Sequence, residues 1–119
     1  MKRAFTAFIL LFLLAVGCSN STGPKNKTHA VLYEVQGSTV QVFVTIENED
    51  GGTSQFDKIS PPWTYSFPDK KDEGTFVFIS AQNQTDRGSV TVNIYRDGDL
   101  FKTATSTGAY VIAEASGSL

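Results

Sequence analysis

Ser89-Val90-Thr91-Val92-Asn93-Ile94-Tyr95-Arg96-Asp97-Gly98 is the stretch on which the reading of the fold turns. Val90, Val92 and Ile94 alternate with Thr91 and Asn93, and a period of two places the two sets on opposite faces of a strand. Asp97-Gly98 closes it with the residue pair a primed two-residue turn demands, since both central positions of that turn take positive φ. The chain therefore returns as a hairpin. Its register sets Arg96 against Asp99 as an ion pair and Ile94 against Phe101 as an apolar pair.

The same period runs outward in both directions. Val31, Tyr33 and Val35 alternate with Leu32, Glu34 and Gln36, and Val40, Val42, Val44 and Ile46 with Gln41, Phe43, Thr45 and Glu47. Asp50-Gly51-Gly52 breaks that second strand, because glycine supplies the backbone conformation of a tight turn. A short strand over 54–59 ends at Pro61-Pro62, which cannot donate ladder hydrogen bonds. Another is expected over 63–67, and residues 68–74 read as a solvated loop. Residues 75–82 carry apolar side chains on both faces, the mark of a central strand. A last strand is expected over 110–114. The pattern predicts an all-β fold, an immunoglobulin-like antiparallel β-sandwich of about seven strands.

The first residues have a different grammar. Lys2 and Arg3 precede a thirteen-residue apolar run, residues 4–16, with Thr6 its only polar member. That run is too short for a spanning helix of about 20 residues and has the form of a secretory signal. Leu14-Ala15-Val16-Gly17 then leads directly into Cys18, the only cysteine of the chain. Small residues followed at once by cysteine resemble the bacterial lipobox, in which the thiol is lipidated and the chain is cut before it. Ordinary signal-peptidase cleavage after Ala15-Val16-Gly17 and an uncleaved anchor are the other readings of the stretch. The expected organisation is a lipoprotein signal peptide at 1–17, a lipidated Cys18 with a flexible tether to residue 29, and a sandwich domain at 30–119. Ten polar tether residues reach at most ~35 Å, so the domain works close to its membrane.

Charge and chemistry narrow the function. Removing Lys2 and Arg3 from ten basic residues leaves eight against twelve acidic ones, a net charge of −4. That balance speaks against nucleic acid or anionic lipid as a partner and leaves the membrane link to the acyl chains on Cys18. His29 is the only histidine, so no Ser-His-acid triad can be built without it, and it reads as an edge residue. Cofactors, metals and catalytic residues are not expected. Glu47, Glu49 and Asp50, then Asp69, Asp72 and Glu73, then Asp97 and Asp99 read as turn residues, with calcium the competing reading. Asn83-Gln84-Thr85 has the form of a glycosylation sequon, of little meaning beside a bacterial lipobox. Trp63 is the candidate partner or ligand contact, weighed against packing in the core or at a sheet edge. The phenylalanines are expected to be mostly core.

Several phrases resemble the soluble part of the mycobacterial small membrane proteins, the MmpS family. They include Val31-Leu32-Tyr33-Glu34-Val35-Gln36-Gly37, Gly51-Gly52-Thr53-Ser54-Gln55, Pro62-Trp63 and Ser80-Ala81-Gln82-Asn83. The likeness continues through 88–98 and Thr105-Ser106-Thr107-Gly108-Ala109-Tyr110. The resemblance implies an extracytoplasmic β-sandwich serving as accessory to a resistance-nodulation-division transporter of lipids or siderophores. Members keep an uncleaved transmembrane helix and commonly carry domain cysteines, whereas this chain reads as cleaved and lipidated and has no cysteine after Cys18. The expected function is a non-enzymatic, lipid-anchored envelope module that binds a protein partner, in an outer membrane where the organism has two. A small-molecule or glycan binder is the alternative.

Overall fold

The computed structural model describes residues 28–70 and 74–119. Cys18, the signal segment, the tether through Lys27, and Lys71, Asp72 and Glu73 lie outside the described residues. The alternating stretches form eight strands where the pattern suggested about seven. They are β1 (His29–Gly37), β2 (Val42–Glu47), β3 (Thr53–Ile59), β4 (Trp63–Asp69), β5 (Phe76–Asn83), β6 (Ser89–Arg96), β7 (Asp99–Thr107) and β8 (Ile112–Ser118). One sheet has the order β4-β1-β6-β7 and the other β3-β2-β5-β8, with every pairing antiparallel. β2–β3 and β6–β7 are hairpins within a sheet, and the other connections cross between sheets. This is a two-layer antiparallel β-sandwich.

The core is aliphatic. Val31, Tyr33 and Val35 of β1 and Val90, Val92 and Ile94 of β6 face Val42, Val44 and Ile46 of β2 and Val77, Ile79 and Ala81 of β5, all fully buried. Ala113 and Ala115 of β8 and Phe67 of β4 complete it. Branched side chains lose little freedom on a pleated surface and interlock across the gap between sheets, so each strand presents one inward row. β5 is an inner strand, as its two apolar faces suggested.

Several expectations give way to the geometry. The Asp97-Gly98 turn forms with φ of 54° and 85°, and Arg96 does stand opposite Asp99. A bulge follows, however: Tyr95 pairs with Leu100 and Ile94 with Lys102, so Phe101 is the extra residue and not the partner of Ile94. The extra residue turns the Phe101 ring inward, where it packs against the core and lies over Gly117. The Arg96 guanidinium goes to His29 and not to Asp99.

β4 runs on through Pro68 to Asp69, residues read as loop; proline is tolerated there because β4 is an outer strand. The last strand lies at 112–118 and not 110–114, since Tyr110 takes φ of 56° in the preceding turn. Val40 is 72% exposed in a loop and is no part of the inward row. Among the described phenylalanines only Phe67 is buried; Phe43, Phe56, Phe78 and Phe101 are half-buried and Phe76 is exposed. Valine and isoleucine had already filled the interior.

Candidate functional site

Two ends of the sandwich are distinguishable by what they carry. The N-terminal strand enters at one end with His29 and leaves at the other through Gly37. There Gly37 adopts φ of 149°, and a Cβ would stand 2.2 Å from the Ser89 carbonyl oxygen. Only glycine lets β1 pass so close to β6.

At this far end one side chain ties three loops together. Asn83 is fully buried and sits on the inward row of β5 after Val77, Ile79 and Ala81. Its Oδ1 accepts hydrogen bonds from Thr39 Oγ1 at 2.6 Å, Thr85 N at 2.9 Å and Thr85 Oγ1 at 2.8 Å. Its Nδ2 donates to the carbonyls of Arg87 and Gly108, both at 2.9 Å. Backbone bonds from Gly108 N to Gly88 O and from Tyr110 N to Thr85 O complete the lattice. A fully satisfied buried amide of this kind rigidifies its surroundings. The end thus held displays Val40, Tyr110 (57% exposed) and Ile112 (52% exposed). Asp86 and Arg87 pair with each other at 3.2 Å on the same end.

The opposite end holds the chain's entry. His29 Nδ1 lies 2.6 Å from Asp97 Oδ2, and His29 Nε2 lies 2.8 Å from Arg96 Nη2. A guanidinium can only donate, so Nε2 accepts and the ring proton sits on Nδ1, facing Asp97. Asp97 Oδ1 also accepts from Ala30 N at 2.8 Å. The Ala30 and His29 hydrogen bonds hold the Asp97 carboxyl below the usual aspartate range. This clasp fixes the hairpin tip to the start of β1; with Nε2 occupied by Arg96, it does not present a free base.

Trp63 lies half-buried at the start of β4, opposite Val35. Its ring centroid is 5.0 Å from Phe56 and 6.2 Å from Tyr65, and Tyr65 and Phe67 continue the row toward Tyr33. β4 and β3 are the outer strands of the two sheets, and these aromatics close the gap between them. Tyr33 reaches across: its hydroxyl donates to Glu47 O at 2.7 Å and accepts from Phe78 N at 3.3 Å, and burial pushes its pKa up to about 12.

Of the acids read as turn residues, Glu47, Asp69 and Asp99 lie at strand ends and Glu49, Asp50 and Asp97 in turns, while Asp72 and Glu73 lie outside the described residues. Asn48 Oδ1 caps the β2–β3 turn by accepting from Asp50 N and Gly52 N, each at 3.0 Å, while Tyr65 donates to Glu49 at 2.9 Å. Asp69 is buried and accepts from Thr75 Oγ1 at 2.9 Å. Among the described residues no three His, Cys, Asp or Glu side chains gather as a metal site. A cleft of about 540 Å³ runs past Glu47, Glu49, Phe67, Asp69, Lys70 and Phe76. Trp63 does not line it.

On the outer face of the β1 sheet, Glu34 accepts from Asn93 Nδ2 at 2.9 Å, Tyr95 Oη at 3.1 Å and Gln36 Nε2 at 2.7 Å. These bonds, that from Asn93 foremost, lower its pKa.

Neither the Asn83 lattice nor the His29 clasp emerged from the sequence reading. The signal for the first was present: residue 83 continues the inward parity of 77, 79 and 81, so its amide had to be buried and satisfied. For His29 there was none, because its partners lie 67 and 68 residues away. No protein-family model matches the chain, and no curated protein matches its sequence.

Proposed function

We propose that this chain is a non-enzymatic module of the cell envelope, held to its membrane by acyl chains on Cys18, that binds a protein partner. The observation that carries the reading is the far end of the sandwich: Val40, Tyr110 and Ile112 stand exposed on loops and a strand start that Asn83 holds rigid. Exposed apolar and aromatic side chains on a pre-organised frame lose little entropy on docking, which is what protein interfaces reward. Asp86 and Arg87 neutralise each other there, so the surface suits neither nucleic acid nor phosphate. The first strand begins at the opposite end, so a tether leading to it would leave these residues free to meet a partner. The resemblance to the MmpS family makes a resistance-nodulation-division transporter the first partner to examine.

A photo-crosslinking residue in place of Tyr110, introduced in living cells, tests this directly. A discrete protein adduct is expected from position 110 and none from Asp50 at the tether end. Equal adducts from both positions, or none from 110, contradict it. The cleft beside Phe67 and Phe76 favours a second reading, a small-molecule or glycan binder. That reading requires a ligand-induced rise in melting temperature that Phe76→Ala abolishes.

A further inference from the structure

Where β1 begins, the β4-β1-β6-β7 sheet gathers charge on its inward side. Strand register decides which side chains share that side: His29 stands opposite Asp69, Val31 opposite Arg96, and Arg96 opposite Asp99. Val31 and Ile94 belong to the buried row, so His29, Asp69, Arg96 and Asp99 continue it to the end of the sandwich. Asp97 joins them from the hairpin tip.

The His29 ring is used in its neutral form. Nδ1 donates to Asp97 Oδ2 at 2.6 Å, and Nε2 accepts from Arg96 Nη2 at 2.8 Å. The second bond exists only while Nε2 carries no proton, because a guanidinium donates and cannot accept. A proton on Nε2 would set two N–H groups and two positive charges face to face across that distance. The bond to Asp97 survives the same event and becomes charge-assisted on both sides.

Arg96 has another acceptor at hand. Asp99 is its cross-strand partner in the β6–β7 ladder, and its carboxylate makes no hydrogen bond or ion pair among the described residues. A hollow of about 310 Å³ borders His29, Arg96 and Asp99 and leaves the guanidinium room to turn. Arg96 Nε is buried with no hydrogen-bond partner among the described residues, so its seat against His29 leaves one donor unpaired.

We infer that His29 is a proton-operated latch: neutral, it holds the Arg96 guanidinium; protonated, it keeps Asp97 and releases Arg96 to Asp99. Histidine is the side chain that ordinarily changes charge between about pH 5 and 8, and His29 is the only one in the chain. The charged groups facing it are Arg96 and Asp97 from β6 and its turn, Asp99 from β7 and Asp69 from β4. Lys102 of β7 is engaged over the Phe101 ring, 5.3 Å from its centroid. Three carboxylates thus stand around His29 and Arg96 and accommodate the added proton. Acid moves one tie, from between β1 and β6 to between β6 and β7, and loosens the first residue of β1. Val40 and Tyr110 lie at the other end, so the latch does not depend on the partner reading above.

Nitrogen-15 NMR of the full chain in neutral detergent, between about pH 8 and pH 5, tests the latch. The single histidine makes the ring signals unambiguous, and Arg96→Lys identifies the Arg96 Nε–H signal by its loss. As His29 takes up its proton, the Arg96 signal should shift with the same midpoint. His29→Gln should hold that signal still across the range. Asp99→Asn should reduce its movement by about half or more while His29 still titrates. A His29 that stays neutral to the acid end of the range overturns the proposal, as does an Arg96 signal that ignores the titration. So does an Arg96 signal that moves as in the wild type in either His29→Gln or Asp99→Asn. The wild-type comparison of the two signals decides the matter even where a variant fails to fold.

Discussion

Replacing Asn83 with alanine should be among the most damaging single changes outside the aliphatic core. Five hydrogen bonds converge on its amide. Two of them come from hydroxyls with other acceptors in reach: Thr85 Oγ1 lies 2.8 Å from Arg87 O, and Thr39 Oγ1 lies 3.4 Å from Gln41 O. The remaining three partners, Thr85 N, Arg87 O and Gly108 O, are backbone groups that lose this bond. Arg87 O keeps the Thr85 hydroxyl as a donor, which leaves Thr85 N and Gly108 O short; at ~1 kcal/mol for each, Asn83→Ala should cost about 2 kcal/mol, a sizeable share of the roughly 5–15 kcal/mol that typically holds a small domain together.

Asn83→Asp keeps the acceptor but turns a second carboxylate oxygen toward two carbonyls. It should cost at least as much at neutral pH and recover partly in acid, where the protonated form can donate again. Urea melts followed by the fluorescence of Trp63, the sole tryptophan, give both numbers. An Asn83→Ala midpoint within ~0.5 kcal/mol of wild type would refute the lattice as a stabilising element.

Ile94→Ala should cost about 2–5 kcal/mol in the same melts, through lost transfer energy and the cavity left between the sheets. Asp97 and Glu34 both have pKa values lowered by folding, so the unfolded chain takes up more protons as pH falls. Stability should therefore be complete above the unfolded carboxylate range, about pH 4, and decline as pH drops through the lower folded values. Asp97→Asn and Glu34→Gln should each flatten that acid limb in a plot of Tm against pH. Excess chelator should leave Tm unchanged; a calcium-dependent rise of several degrees, removed by Asp97→Asn with Asp99→Asn or by Asp50→Asn, would overturn the reading of the acids as turn residues.

Strands and their inward rows were legible because burial on one face imposes period two, and the primed turn at Asp97-Gly98 because few residues tolerate its backbone. Positions set by contacts between distant elements were not. Phe101 breaks the hairpin register where its ring meets Gly117 of β8, a contact with no local signature. Tyr110 enters a turn because Thr85 O and Gln82 Nε2 hold its backbone, which moves the last strand two residues on. Arg96 abandons the cross-strand Asp99 for His29, which β1 brings from the far side of the sequence. Of the candidate contacts, Trp63 was readable as a sheet-edge aromatic, while Val40 and Tyr110 were not distinguished from strand residues.

The proposed anchoring at Cys18 is what would make this sandwich an envelope module, and intact-mass and peptide mass spectrometry of the native protein test it most directly. The account predicts that the mature chain begins at Cys18 and carries acyl chains there, and that Cys18→Ser leaves the domain released or unprocessed. A native chain that begins elsewhere, or a soluble one with a free Cys18 thiol, would contradict it.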